Sequence, residues 1–468
     1  MSVIILVADG ARADAFDAGI SKGTLPSLAL LRAEGGLHAV TTVFPSVTGP
    51  AYTPFLTGRF PGPIGLPGLR WYDRTRTRCT APPHCRSYLG SEMRHMDGDL
   101  DAHAPTIFEL ARSRFSAMSM IGRGTRRREQ IGRGIGIFSR IVRTHWTGNV
   151  GGWLEIDRVV ARLAARRIRD RRPELSFVAL LGLDKTSHAS GHESSDARGA
   201  LRALDTLVAQ LRHDAERSGT WDQTQLWVVS DHGHSSVHDH DDLALAVQHA
   251  GYRVMAHPWI FTRRPDVAVM VSGNAMAHLY LELSRSERPW WPELRPRWEQ
   301  LAASLLERPS VDLILLPHTP SRCEVRARGR GAAFVEREGN RYAYRPLTGD
   351  PLGLGPHCIE PLDSRESYDV TMATDYPDSL VQIAHLAGSA RSGELILSAA
   401  RGWDFRAHYE PIPHVSTHGA LHREHMLVPL LVNHPINGHP RRTVDVMPSA
   451  LKALGITVPA GLDGAEFN

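Results

Sequence analysis

The chain has 468 residues, 42% of them hydrophobic and 22% charged, with a formal net charge of +4. That length and apolar fraction are enough for a large buried core, and so small a net charge argues against a dedicated nucleic-acid binder. The four cysteines, Cys79, Cys85, Cys323 and Cys358, are too few and too scattered for a disulfide framework, which points to free thiols in a reducing compartment.

The chain opens on SVIILVAD, a short apolar run that stops at Asp9. Runs of this kind suit strands buried on both faces of a parallel sheet. This one has no basic flank and is too short for a secretory core, so a cytoplasmic protein is expected. LPSLALLRAEGG (25–36) comes next with helical spacing. In TTVFPSVTGPAYTPFLTG, Thr48 precedes Gly49 and Pro50. Proline is comfortable in a first helical turn, which places Thr48 near the N-cap of an apolar helix, beside free backbone N–H groups. CTAPPHC, around Cys79 and Cys85, offers two cysteines and a histidine but is not read as a separate zinc clip. The stretch 122–143 carries seven arginines against Glu129. It reads as a solvated face, with a contact to phosphate-bearing ligands as the alternative.

Helical spacing returns over IDRVVARLAARRIRD (156–170) and DARGALRALDTLVAQLRHDAER (196–217). Between and after them lie two more apolar runs that end on aspartate: SFVALLGLD at Asp184 and LWVVSD at Asp231. Strands alternating with helices imply an α/β fold with a mostly parallel central sheet, and ligands in such folds gather at the carboxyl ends of the strands. The texture changes after about residue 262. WWPELRPRWEQLAASLLERP is a helix, and EVRARGRGAAFVEREGNRYAYRP a hairpin turning at Glu338-Gly339-Asn340. Residues 263–392 are therefore expected to form an inserted α+β cap on a core of 1–262 and 393–468. ELILSA (394–399), HVSTHGALHREH and TVDVMPSALKALGI then return to that core. No run approaches the roughly 18 apolar residues of a membrane span.

The chemistry concentrates at the three strand-end aspartates. Asp184 opens DKTSH, and its four-residue spacing to His188 lets both side chains face one ion. Asp231 and His232 are adjacent where the chain turns, Asp9 adds a carboxylate, and STHG offers His418. Mixed imidazole and carboxylate ligands suit zinc or manganese better than calcium. A threonine hydroxyl beside such a metal becomes a usable nucleophile. His234, His238 and His240 read as loop or outer residues, as do His414, His422 and His425, and His278 as packed in a strand.

In this order, Asp9, FPSVT with Thr48, DKTSH, SDHG and STHG resemble the alkaline phosphatase superfamily, and within it the nucleotide pyrophosphatase/phosphodiesterase family, from residue 3 to the closing helix. The resemblance implies an alkaline-phosphatase-like core and a hydrolase of small phosphate esters. Thr48 would be the nucleophile, forming a covalent intermediate. It implies two divalent metals, zinc or manganese: one held by Asp184, His188 and His418, the other by Asp9, Asp231, His232 and Thr48. Nucleic acid enters only as a nucleotide-type substrate. Two positions depart from the family pattern: Ala51 stands where asparagine is usual three residues after the nucleophile, and Ser187 replaces the glycine of DxxGH. A phosphomonoesterase or phosphonate hydrolase on the same scaffold is the nearest alternative, and a metal-stabilised binding protein without turnover the alternative outside enzymes. With no basic residue in PSVTGPAYT, diesters are expected over monoesters, with Tyr52 or Trp71 available to stack on an organic group.

Overall fold

The computed structural model describes residues 1–468 except 76–84, 90, 133, 259, 356, 408–409, 411–413 and 468. Among the described residues, the three aspartate-terminated runs form neighbouring strands of a seven-stranded sheet, with Ser2–Ala8 between Thr224–Val229 and Leu175–Leu180. All three are parallel, in a register that pairs Ala8 with Leu180 and Val7 with Val229. Fifteen of these nineteen side chains are aliphatic or aromatic, and all but Ser2 and Gln225 are buried, so both faces need cover. Helices Pro26–Glu34, Val150–Arg171 and Ser195–Arg217 supply it on one side, packing Leu28, Val160, Leu204 and Val208 onto Leu6, Val178 and Val228. Among the described residues, the only antiparallel member of this sheet is Leu427–Val432, between Thr224–Val229 and Gly36–Thr41.

The second sheet has nine strands and is mostly antiparallel. Gly331–Glu338 and Arg341–Gly349 form the expected hairpin, with Glu338 opposite Arg341 across the turn. Helix Trp291–Leu306 covers this sheet with Trp291, Leu294, Trp298, Leu301 and Leu305, a three-to-four-residue spacing that makes one apolar stripe. One strand goes elsewhere than expected. Leu395–Ala399 does not rejoin the first sheet but sits inside the second, paired with Met276–Tyr280 and Val311–Thr319. An apolar strand buried on both faces carries no mark of which sheet it enters. The two sheets share a core in which Val3, Phe55 and Phe177 meet Met270 and Tyr280. No described helix is long and apolar enough to cross a membrane.

Candidate metal and nucleophile site

Parallel strands in register bring their carboxyl ends to one line, and here that line is made of acid. Asp9 directly follows its strand, Asp184 lies in the first turn of helix Gly182–Ser190, and Asp231 follows Val229 and Ser230. All three are buried. Asp231 accepts from the Gly10 N–H at 3.3 Å on Oδ1, whereas its buried Oδ2 has no hydrogen-bond partner.

Four histidines close on this line from three directions. His188 comes one helical turn after Asp184, His232 and His234 from the loop after Asp231, and His418 from the end of the short strand Ser416–Thr417. In each ring Nδ1 is tied to a neighbour. His188 donates to the Ser416 carbonyl at 2.9 Å, His232 to that of Gly233 at 3.1 Å and His418 to that of Ser46 at 3.0 Å, while His234 Nδ1 lies 3.0 Å from Ser416 Oγ. Every Nε2 is thereby aimed inward: 3.2, 2.9 and 3.5 Å from Asp184 Oδ1 for His188, His234 and His418, and 3.3 Å from Asp9 Oδ1 for His232. Metal-binding imidazoles are commonly oriented in this way, one nitrogen fixed and the other presented.

These donors fall into two overlapping groups that could each hold an ion, Asp184 with His188, His234 and His418, and Asp9 with Asp184 and His232. Electrostatics agree with a demand for positive charge. Burial and the repulsion of Asp9 push the Asp231 carboxyl up to about 8. Burial works to lower His232, but Asp231 and Asp9 outweigh it and push it up to about 9. Asp184 is held well below the usual carboxylate range, because Lys185, His188 and His234 outweigh its burial. The orphaned Asp231 oxygen, the three carboxylates and the inward-facing nitrogens fit divalent cations of the zinc or manganese kind.

Thr48 lies at the rim, half-buried. Its hydroxyl donates to Asp9 Oδ1 at 3.2 Å and is 3.0 Å from His232 Nε2. Tyr52 donates to the other Asp9 oxygen at 3.3 Å. The expected N-cap is not Thr48 but Gly49, with φ +98°, and the chain continues as a three-residue 3-10 turn, Pro50–Tyr52, and a five-residue helix, Thr53–Thr57. Pro50 and Pro54 each stand at the start of their segment, and the helix stops after five residues at Gly58, which has φ +62°, so a helix dipole adds little at Thr48.

The structure therefore gathers Asp9, Thr48, Asp184, His188, Asp231, His232 and His418 in one place. It also adds His234, expected to lie outside. Adjacent positions rarely converge, but the His232-Gly233-His234 turn points both rings inward. His238 and His240 are exposed. His425 is buried and satisfied, with Nδ1 accepting from Ala420 N–H and Nε2 beside Ser235 Oγ, and His414 stands behind His188 with ring centroids 4.5 Å apart. His278 is packed in its strand. Neither aromatic proposed for stacking is available: Tyr52 and Trp71 are core residues, the latter donating to Tyr88 at 3.0 Å. Arg126 and Arg128 do not serve this site. With Arg112, Arg114, Arg167 and Arg171 they line a groove at the amino ends of strands Arg114–Ala117 and Leu175–Leu180, the opposite edge of the sheet. The CTAPPHC stretch lies outside the described residues except for Cys85, which is buried and whose thiol burial pushes up to about 12.

Residues 3–421 match the family described as type I phosphodiesterase/nucleotide pyrophosphatase. Among solved structures, human ectonucleotide pyrophosphatase/phosphodiesterase 5 is similar at 14% identity and a TM-score of 0.59, covering 99% of this chain and 97% of its own. An inactive point variant of the murine counterpart, in complex with AMP, has 14% identity, a TM-score of 0.56 and coverage of 98% and 96%. Phosphonoacetate hydrolase from Sinorhizobium meliloti 1021, in complex with phosphonoformate, has 15% identity, a TM-score of 0.58 and coverage of 97% and 95%. At these identities the likeness is one of fold. No curated protein sequence matches the chain.

Proposed function

The chain belongs to the type I phosphodiesterase/nucleotide pyrophosphatase family, and from that premise we propose that it is a metal-dependent phosphodiesterase or pyrophosphatase whose nucleophile is Thr48. The observation that carries this reading is the position of the Thr48 hydroxyl, at the mouth of a buried acid and imidazole cluster and within 3.2 Å of both Asp9 and His232. Asp184, His188 and His418 would hold one divalent cation, and Asp9, Asp231, His232 and Thr48 the other. When bound, a cation beside Thr48 would neutralise phosphoryl oxygen charge and make the threonine alkoxide accessible near neutral pH.

The chain's own residues do the rest. Thr48 Oγ forms a bond to phosphorus as the ester or anhydride oxygen leaves, and its proton is lost to water at the half-buried rim where the hydroxyl lies. Water then cleaves the Oγ–P bond and regenerates the hydroxyl. Tyr52, buried and donating to Asp9 Oδ2, fixes that carboxylate so that Oδ1 stays turned to Thr48. Diester substrates are supported by the state of two cations near the site. Lys185 is paired with Asp184 at 2.7 Å, and Arg12 with Asp14 while donating to the His234 carbonyl at 3.0 Å. A monoester dianion rewards a cation free to clamp it.

Lys185 also favours a second reading. Its side chain is one-third exposed at the edge of the site, where an ammonium released from Asp184 would meet a third anionic oxygen, so a phosphonate or monoester hydrolase stands next. Comparing kcat/KM for bis(p-nitrophenyl) phosphate and p-nitrophenyl phosphate, with and without chelator, decides between them. The proposal expects a chelator-sensitive diester preference. A monoester advantage of about tenfold or more, roughly 1.4 kcal/mol, overturns the diesterase reading.

A further inference from the structure

His234 is buried and has no role in the threonine mechanism above, yet its Nε2 lies 2.9 Å from Asp184 Oδ1, nearer than that of His188 or His418. Its ring is packed among theirs, with centroids 4.9 Å from His188 and 5.1 Å from His418. Ser416 anchors two of the rings at once, its carbonyl taking the His188 Nδ1–H and its hydroxyl meeting His234 Nδ1. The chain also leaves room for the ring. A Cβ at Gly10 would come within 2.8 Å of His234 Cδ2 and 2.9 Å of Nε2, and Gly10 has φ +78°, where glycine is at ease.

We infer that His234 is a fourth protein ligand of the cation held by Asp184, His188 and His418, making that site a closed tetrahedron of one carboxylate and three imidazoles. This rests on the two-metal reading proposed above. Four protein ligands leave a four-coordinate zinc no vacant position, the pattern of sites that hold their metal permanently, whereas three protein ligands leave one open. The two sites thus become unequal. The Asp184 site is the tight, resident one, and the Asp9, Asp231 and His232 site, which includes the reacting hydroxyl, exchanges its metal and receives the substrate.

The test is X-ray absorption on protein reconstituted with one equivalent of zinc, together with a chelator competition for zinc affinity. Three imidazoles on the zinc are expected in the wild type and two in His234→Ala, with affinity for the first equivalent lowered at least about tenfold. His234→Gln, which is similar in volume and can still donate to Asp184, should also show two, and it guards against misfolding of the smaller variant. Two imidazoles or fewer in the wild type overturns the inference. So does an imidazole count that stays the same in both variants while affinity falls, because His234 would then act only by orienting Asp184. Three imidazoles in a protein that hydrolyses no phosphodiester would sink the proposed function and leave this inference standing.

Discussion

The segment that carries Thr48 is held from behind by a buried ion pair, and breaking that pair is a sharp test of how the site is supported. Arg442 grips Asp378 with Nε–Oδ2 at 2.7 Å and Nη2–Oδ1 at 2.6 Å, a two-pronged contact with both side chains nearly out of water. Asp378 in turn accepts from Gln382 Nε2 at 2.7 Å. Gln382 accepts the Phe44 N–H at 2.8 Å and donates to the Thr42 carbonyl at 3.1 Å, so the pair ends on the chain four residues before the nucleophile. Arg442→Met keeps the length of the side chain and removes the charge. It strands a buried carboxylate, which typically costs 3–5 kcal/mol. Since Asp378 keeps the Gln382 donor and a weak one from Thr41 at 3.4 Å, about 3 kcal/mol is expected. Adding Asp378→Asn removes the stranded charge, and the double variant should recover at least about 1 kcal/mol of that loss. Urea unfolding of the three proteins measures both numbers. A single variant within about 0.5 kcal/mol of the wild type, or a double variant no better than the single, would refute the reasoning.

Two further outcomes are expected from other parts of the molecule. Asp184→Ala removes the carboxylate common to both candidate ligand groups; elemental analysis should show about one of two metal equivalents lost, and retention of both would mean that the ion sits elsewhere. His278 is neutral by construction, since Nε2–H donates to the Pro67 carbonyl at 2.9 Å, Nδ1 accepts from Gly393 N–H at 3.1 Å, and burial lowers it from 6.5 to about 3. Below pH 6.5 the unfolded chain takes up a proton that the folded ring refuses, so stability falls as pH falls. From pH 6.5 to pH 5 the wild type should lose about 2 kcal/mol more than His278→Gln, and parallel pH profiles would count against it.

Much of the site was legible in the sequence for a simple reason. A strand buried on both faces in a parallel sheet must be almost wholly apolar, so a polar residue at its carboxyl end stands out, and Asp9, Asp184 and Asp231 did. What was not legible depended on distance in space. His234 looks the same along the chain as His238 and His240, and the turn at Gly233 and the gap beside Gly10 send its ring inward, while His238 and His240 lie on exposed positions of strand Ser235–His240 and His240 meets Asp404 at 2.7 Å instead. Tyr52 read as a surface for stacking because aromatic residues near a nucleophile can be either; its burial against Phe55 and Phe177 made it core. Leu395–Ala399 has the composition of a central strand and is one, but of the other sheet. The arginines at 126–128 could be placed only once the sheet's polarity was known.

The central claim is that Thr48 forms a bond to phosphorus. Its most direct test is to acid-quench the zinc- or manganese-reconstituted protein while it turns over bis(p-nitrophenyl) phosphate and to determine, by peptide mass, which residue carries a phosphoryl or p-nitrophenyl phosphoryl group. The account predicts an adduct on Thr48, no adduct in Thr48→Ala, and turnover in that variant lowered by roughly three orders of magnitude or more with its fold intact. Near-normal hydrolysis by Thr48→Ala, or an adduct on another side chain, would contradict it.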